Sequence, residues 1–374
     1  MIPLSKPWFG PEEAAAVLGP LESGWVAQGP CVKTFEDKFS AFTGAPFSIA
    51  TSSCTAALQV ALAALALKPG DEVIVPAFTW IATANVVEAA GARPVFCDID
   101  PATFNIDPAK IPPLLTSRTA GIIPVHLFGL CADLDPILAL ARQHGLWVVE
   151  DAACALGAAH KGRHAGAFGA YGCFSFHPRK SITTGEGGMM TTDNYDLDQS
   201  ARALRNHGAS EPGPEYNRFG CNCRMTDIQG AIGAVQMDRL PCILARRAQC
   251  ARAYNDLLAG LDWLTLPRTP PGFTHAFQAY VCMFRPEEPT FDNVQALHQR
   301  RNLLMLQLQA KGIATRQGTH APILQNYYVR KYHLRPEQFP QAAMADRLSL
   351  ALPLYPQMTP EEQGFVAEAL KAQL

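Results

Sequence analysis

Leu146-Trp-Val-Val-Glu150-Asp151 is a short apolar run that ends in two adjacent carboxylates. Four consecutive apolar residues read as a strand buried on both faces, with the acids at its carboxyl end. Comparable runs flank it at Glu72–Val75, Pro94–Cys97, Gly121–Val125 and Cys173–Phe176. Between them, helix-like stretches cover Ala56–Leu65, Ile81–Ala90 and Leu134–His144. Strands alternating with helices of about 10–12 residues predict βαβ units and a mostly parallel sheet. Such a sheet holds ligands just beyond the carboxyl ends of its strands, so the polar residues there are the ones to examine.

Downstream, Thr226-x-x-Gln229 reads as a capping box ahead of Ile228, Ile232 and Val235 at helical spacing. Pro241 is expected to kink or end that helix, and Cys242–Leu261 reads as a further amphipathic stretch. The turn-rich Pro267-Arg-Thr-Pro-Pro-Gly272 follows, which places a domain junction within residues 241–272. The expected division is a large domain over 1–241, including an N-terminal arm, and a smaller α+β domain over 242–374 with a connecting helix. In the latter, His275–Phe284 is strand-like, Val294–Lys311 helical, and Thr359-Pro-Glu-Glu362 opens a last helix.

Hydrophobic residues make up 48% of the 374 and charged ones 17%, enough to bury a large core. A formal net charge of −2 gives no reason to expect nucleic acid or a membrane surface as partner. The 11 cysteines include no CxxC pair, which argues against zinc and disulfides, so no metal is expected. The start lacks a signal-peptide pattern and no apolar stretch is long enough to span a membrane, so a cytoplasmic protein is expected.

Four segments carry candidate chemistry. Ser175-Phe-His-Pro-Arg-Lys180-Ser-Ile-Thr-Thr-Gly-Glu-Gly-Gly188 runs from a strand end through a lysine into a hydroxyl- and glycine-rich turn. Lys180 is either a Schiff-base former, if its ammonium is partly desolvated, or a surface lysine beside a tight turn. Asp151 either holds a cationic ring nitrogen or caps a helix. Ser53-Cys54-Thr55 precedes a helix and either seats a phosphate or merely caps it. Trp80 either stacks on a ring or belongs to the core. A phosphate seat, a stacking ring, a carboxylate for a ring nitrogen and a lysine together describe pyridoxal phosphate.

With these segments the chain resembles the DegT/DnrJ/EryC1/StrS family of sugar aminotransferases, with the type I fold of pyridoxal-phosphate (PLP) aminotransferases. The resemblance runs nearly end to end. It is carried by Ser175-Phe-His-Pro-x-Lys180, Thr184-Gly-Glu-Gly-Gly188, Glu150-Asp151-Ala-Ala and Asn222-x-Arg224-Met-Thr-Asp227. Ser23-Gly-Trp25, Phe78-Thr-Trp80 and Pro124-Val-His126 support it. It implies that Lys180 binds the cofactor covalently and moves protons, that Asp151 pairs with the pyridine nitrogen, and that Trp80 covers the ring. Ser53, Cys54, Thr55 and Ser175 would hold the phosphate. It also implies a homodimer with shared sites, which casts Asn222, or else Arg224, as a phosphate contact from the partner; a turn residue is the other reading of Asn222.

Two departures stand out. Cys154 occupies the place where glutamine or histidine usually touches the ring hydroxyl, and Thr315-Arg-Gln-Gly-Thr-His320 differs from the usual substrate-entry pattern. His126, Glu186, Arg179, Arg316 and His320 are the substrate candidates, with a solvated surface role as the alternative for Arg179, Arg316 and His320 and a turn role for Glu186. The implied reaction moves an amino group from L-glutamate or glutamine to a keto-sugar, foremost a nucleotide-linked keto-deoxyhexose, for amino-sugar, O-antigen, other surface-polysaccharide or glycoside synthesis. A keto-inositol or other cyclic polyol is the alternative acceptor. A sugar dehydratase using the pyridoxamine form (PMP) replaces the lysine with histidine, and Lys180 speaks against it.

Overall fold

The computed structural model describes residues 1–210 and 215–372. Two helices open the chain, α1 (Pro11–Ser23) and α2 (Pro30–Thr43). They are followed by β1 (Phe47–Thr51), α3 (Cys54–Ala64), β2 (Glu72–Pro76), α4 (Ala82–Ala89), β3 (Arg93–Cys97), β4 (Thr119–Ile122), α5 (Leu134–His144) and β5 (Trp147–Asp151). Next come β6 (Tyr171–Ser175), β7 (Gly188–Thr192) and α6 (Tyr195–Arg205). These strands form one seven-stranded sheet in the order β1-β7-β6-β5-β4-β2-β3. Neighbours from β6 to β3 run parallel, while β7 is antiparallel to both β1 and β6. Helices cover both faces, so Val73, Ile74, Val75, Val148 and Val149 are buried, as a parallel sheet requires. The mostly parallel α/β architecture matches the expectation.

The reversed strand β7 was not foreseen, because Gly188-Met-Met-Thr-Thr shows no apolar alternation. Its effect is local and large. Gly188 pairs with Thr51 on one side and Ser175 on the other, drawing the turn before α3 beside the end of β6. A Cβ on Gly188 would fall 2.4 Å from the Ser53 carbonyl carbon, so only glycine permits the approach.

The capping box forms as expected: Thr226 Oγ1 accepts from Gln229 N, and the Gln229 side chain returns to the Thr226 N–H. Pro241 does not end the helix. A single α7 runs from Asp227 to Leu257 with Pro241 inside it, so the expected division at 241 falls in mid-helix. Proline there removes a helical hydrogen bond and costs roughly 3 kcal/mol. Burial of Met237, Leu240, Ile243 and Tyr254 against neighbouring elements outweighs that penalty.

Beyond α7 lie β8 (Leu264–Thr265), β9 (Tyr280–Phe284), α8 (Val294–Ala310), α9 (Asn326–Tyr332), α10 (Pro340–Leu348), β10 (Ser349–Leu352) and α11 (Pro360–Lys371). The three strands form an antiparallel sheet in that order. Only the second half of His275–Phe284 is strand. Ala276 N is drawn to the Gly129 carbonyl and Arg247 takes the Phe277 and Gln278 carbonyls, which keeps that segment out of the ladder. The N-terminal arm joins this second unit: Ile2 exchanges hydrogen bonds with Gly312 and Ala314, and Leu4 O accepts from Leu354 N.

Glu36 ties the first unit together. Its carboxylate accepts from Ala50 N (2.8 Å), Arg202 (3.0 Å) and Arg205 (2.6 Å), and both Glu36 and Arg205 are almost fully buried. Removing one member of a buried ion pair leaves the other charge uncompensated. Glu36→Gln is therefore expected to lower unfolding stability by about 3–5 kcal/mol in chemical denaturation, whereas Lys33→Ala, at an exposed i,i+4 pair with Asp37, changes it by under about 0.5 kcal/mol.

Candidate active site

Strand-end alternation builds this site. Successive strand residues face opposite sides, and at the end of β5 Glu150 turns to one side and Asp151 to the other. Glu150 is fully buried and accepts from the N–H groups of Gly166, Phe168 and Gly169 and from His126. Burial alone would raise its carboxyl, but those hydrogen bonds outweigh it and hold the group below its ordinary value.

This disposes of His126 as a substrate residue. Its Nε2 sits 2.9 Å from Glu150, its Nδ1 accepts from Ala132 N (3.1 Å), and the ring has no exposed surface. The polar residue lies past a strand end, as the sequence reading required, yet it points into the protein.

Asp151 faces a cavity of about 330 Å³. The cavity is walled by Ser53, Cys54, Thr55, Trp80, Asp151, Cys154, Ser175, Lys180, Glu186 and Arg316. These ten candidate residues thus meet in one place, and the candidate Arg179 is an eleventh. His177 and Arg179 line the same cavity.

Each position has a local cause. Ser53 caps α3, its Oγ accepting from Ala56 N at 3.1 Å. Cys54 and Thr55 occupy the first turn, where backbone N–H groups have no partner within the helix and the dipole end is positive, which suits a phosphate. Lys180 N donates to the His177 carbonyl, a tight turn that swings the side chain back over the cavity, and Nζ stands 3.0 Å from Cys154 Sγ. Trp80 keeps 54% of its surface exposed at the cavity wall, so it is no core tryptophan.

Two candidates lie elsewhere. His320 is absent from the wall; its carbonyl accepts from Thr79 N and its ring lies 6.0 Å from that of Trp80. Asn222 is exposed and outside this cavity, bridged to Asn206. Glu186 takes the turn role, its carbonyl accepting from Thr184 and Gln229, and the residue also borders the cavity. Sequence reasoning missed Thr83, whose Oγ1 donates to Asp151 Oδ2 at 2.8 Å from the first turn of α4. A threonine in a helix carries no signal of such a partner.

The decisive observation is the state of Asp151. It is buried, accepts from Thr83 and from Ala153 N (3.2 Å), and has no cation within ion-pair distance among the described residues. Burial raises its carboxyl above the ordinary value despite those hydrogen bonds and the pull of Lys180. A buried acid without a counter-ion, aimed into a cavity, fits a protonated ring nitrogen. The phosphate seat at α3 and Lys180 fit the rest of pyridoxal phosphate.

The DegT/DnrJ/EryC1/StrS aminotransferase family model matches residues 8–371. The spore coat polysaccharide biosynthesis protein SpsC of Bacillus subtilis is 37% identical over 99% of this chain and 96% of its own length. The crystal structure of the aminotransferase TlmJ from Streptoalloteichus hindustanus is 31% identical, with a TM-score of 0.90 over 100% of this chain and 98% of that one. Spr1654 from Streptococcus pneumoniae in its PMP form is 28% identical, with a TM-score of 0.92 over 100% and 99%.

An acid kept in such a state lowers stability when nothing pairs with it. Because the folded-state carboxyl titrates above its ordinary value of 3.8, the folded protein loses stability as pH rises through the window between the two values. In cofactor-free protein, Asp151→Asn is expected to raise the melting temperature at neutral pH, with the gain vanishing below pH of about 4; an equal or lower melting temperature at neutral pH would contradict the assignment. The acid has its explanation once the near-complete family match is set beside it: this chain belongs to the DegT/DnrJ/EryC1/StrS aminotransferase family and is a PLP-dependent aminotransferase.

Proposed function

We propose that this enzyme moves an amino group from L-glutamate to the ketone of a nucleotide-linked keto-deoxyhexose, supplying an amino sugar for a surface polysaccharide such as O-antigen. The observation that carries the acceptor class is the cavity wall beyond Lys180, where His177, Arg179 and Arg316 gather cationic and hydrogen-bonding groups. That wall suits an anionic, hydroxyl-bearing substrate better than a neutral polyol, and so disfavours a keto-inositol. The similar Bacillus protein is named for polysaccharide biosynthesis, which supports a sugar acceptor.

When bound, the cofactor supplies an electron sink for the carbon that loses or gains nitrogen. Lys180 Nζ, on the cavity wall, would hold the cofactor and serve as the group that moves a proton at the substrate carbon. Asp151 would keep the ring nitrogen protonated, with Thr83 fixing the carboxylate's orientation. Trp80 would shield the cavity from water on its side, and the N–H groups of Cys54 and Thr55, with the Ser53 and Ser175 hydroxyls, would take the phosphate. Cys154 would be the neighbour for the ring hydroxyl.

We assign Asn222 to the site of a second copy of this chain. Its exposure outside this chain's cavity is consistent with that assignment, and so are the exposed apolar Leu18 and Leu21 on α1, Trp25 and Val26 just after it, and Phe219 close to Asn222 in sequence. The active species is then a homodimer acting in the cytoplasm; eleven cysteines, all free, suit a reducing compartment.

Borohydride treatment of the purified enzyme should fix the cofactor to Lys180, read by mass spectrometry of the peptide. Lys180→Ala should lower turnover by at least about 10²–10⁴-fold, the range of a positioned proton-transfer group, while retaining cofactor by equilibrium binding. Keto-sugar nucleotides and keto-inositols offered side by side decide the acceptor: amination of the inositols alone would overturn the sugar reading.

A further inference from the structure

Away from the active-site cavity, the start of α5 and the segment between β5 and β6 bring three ligand-type side chains together. One oxygen each from Asp133 and Asp135 and one ring nitrogen of His160 lie within 4.8 Å of one another. The two aspartates are exposed, whereas His160 keeps only 3% of its surface. Acids at a helix start are ordinary, and Asp133 sits at the N-cap of α5. Its carboxylate does not cap, however: no side-chain hydrogen bond closes that end of the helix. Among the described residues it has no ion-pair partner either.

The burial of His160 goes unanswered within the protein. Its Nδ1 is enclosed with no hydrogen-bond partner, a cost that folded proteins rarely leave standing. The ring is held from two directions. Ala159–His160 pairs with Arg163–His164 on one side and with Phe273–Thr274 on the other. The imidazole stacks on Phe273, with ring centroids 4.2 Å apart and planes at 13°. The aspartates are tethered to the same region. Ala132 N, next to Asp133, donates to His126, which meets Glu150, and Glu150 in turn takes the N–H groups of Gly166, Phe168 and Gly169. The approach to α5 and the segment carrying His160 are therefore fixed relative to one another before any ion binds.

We infer that Asp133, Asp135 and His160 form a site for a divalent transition metal of the Zn²⁺ class, which clips the start of α5 to the segment between β5 and β6. One imidazole nitrogen with two carboxylates suits Zn²⁺, with water in the fourth position, whereas Ca²⁺ and Mg²⁺ prefer all-oxygen shells. Zn²⁺ bonds of about 2.0–2.2 Å put neighbouring ligand atoms about 3.4 Å apart, so the aspartates close in by about 1 Å on binding. Exposed side chains can do so by a change of rotamer. Lys161 is the competitor, since its ammonium pairs with Asp135. Both side chains of that pair are more than half exposed, and such a pair is weak enough to yield to a divalent ion. The lack of a CxxC pair does not bear on this set, whose ligands are carboxylates and a histidine.

The test uses the tag-free holoenzyme with Zn²⁺ alone as the probe, followed by calorimetry and by melting temperature. Wild type should take up one equivalent per chain that raises the melting temperature, as a ligand selective for the folded state does. Asp133→Asn and Asp135→Asn, at exposed positions outside the active site, should each weaken that equivalent by at least about 10-fold and leave turnover unchanged. Lys161→Ala removes the competing ammonium and should tighten it by about two- to fivefold. His160→Gln should abolish it; the two asparagine variants decide the matter if this buried substitution folds poorly. Ca²⁺ should bind at least about 10-fold more weakly than Zn²⁺, and equal binding would remove His160 from the ligand set and overturn the assignment. The inference also fails if wild type takes up no Zn²⁺, or if wild type and both asparagine variants bind it within about twofold of one another.

Discussion

The alternation of side chains at the end of β5 separates two neighbouring acids into two tasks, and the site depends on that separation. Glu150 is satisfied completely: three N–H groups of residues 166–169 and His126 surround it, so it fastens the loop leading to β6 and the turn after β4. Asp151 is left with two hydrogen bonds and, among the described residues, no cation within ion-pair distance. A one-residue shift of register would exchange them and leave the cavity facing an acid already committed to structure.

Around that division the other parts converge through close backbone approaches. Gly188 lies between Thr51 and Ser175, so the Ser53–Thr55 turn and the end of the strand before Lys180 flank the same strand β7 although about 120 residues apart in sequence. Capping of α3 by Ser53 uses the side chain and leaves first-turn N–H groups for an anion. Glu36 with Arg205 is a charge pair inside the fold, and the buried Arg247 and Arg301 have carbonyls for partners in place of carboxylates. Asp151 and Arg316, without an ion-pair partner among the described residues, border the cavity.

Much of this was legible in the chain. Apolar runs gave five sheet strands to within a few residues, and helix α5 came out at its observed ends, because burial on both faces and capping residues leave plain traces. Lys180, Asp151, Trp80, Ser175 and the Ser53–Thr55 turn, singled out because each follows a strand end where a parallel sheet presents its ligands, line one cavity. His126 met the same criterion and failed it, since position past a strand does not say which side chain faces inward. Pro241 was read by its local cost, which packing along α7 overrode. The reversed strand β7 left no periodic pattern, and Thr83 no motif.

The sequence by itself determined the mostly parallel sheet and the set of residue types that pyridoxal phosphate calls for, since these follow from residue type and spacing along the chain, and its family resemblance carried the class of reaction. Tertiary structure alone decided which polar groups are answered and which are not. Asp151 and Glu150 are chemically alike, and so are Arg316 and Arg205; what differs is the company each keeps after folding. Pairing, desolvation and the direction of a side chain are properties of contacts between distant segments, and no local stretch of residues encodes them.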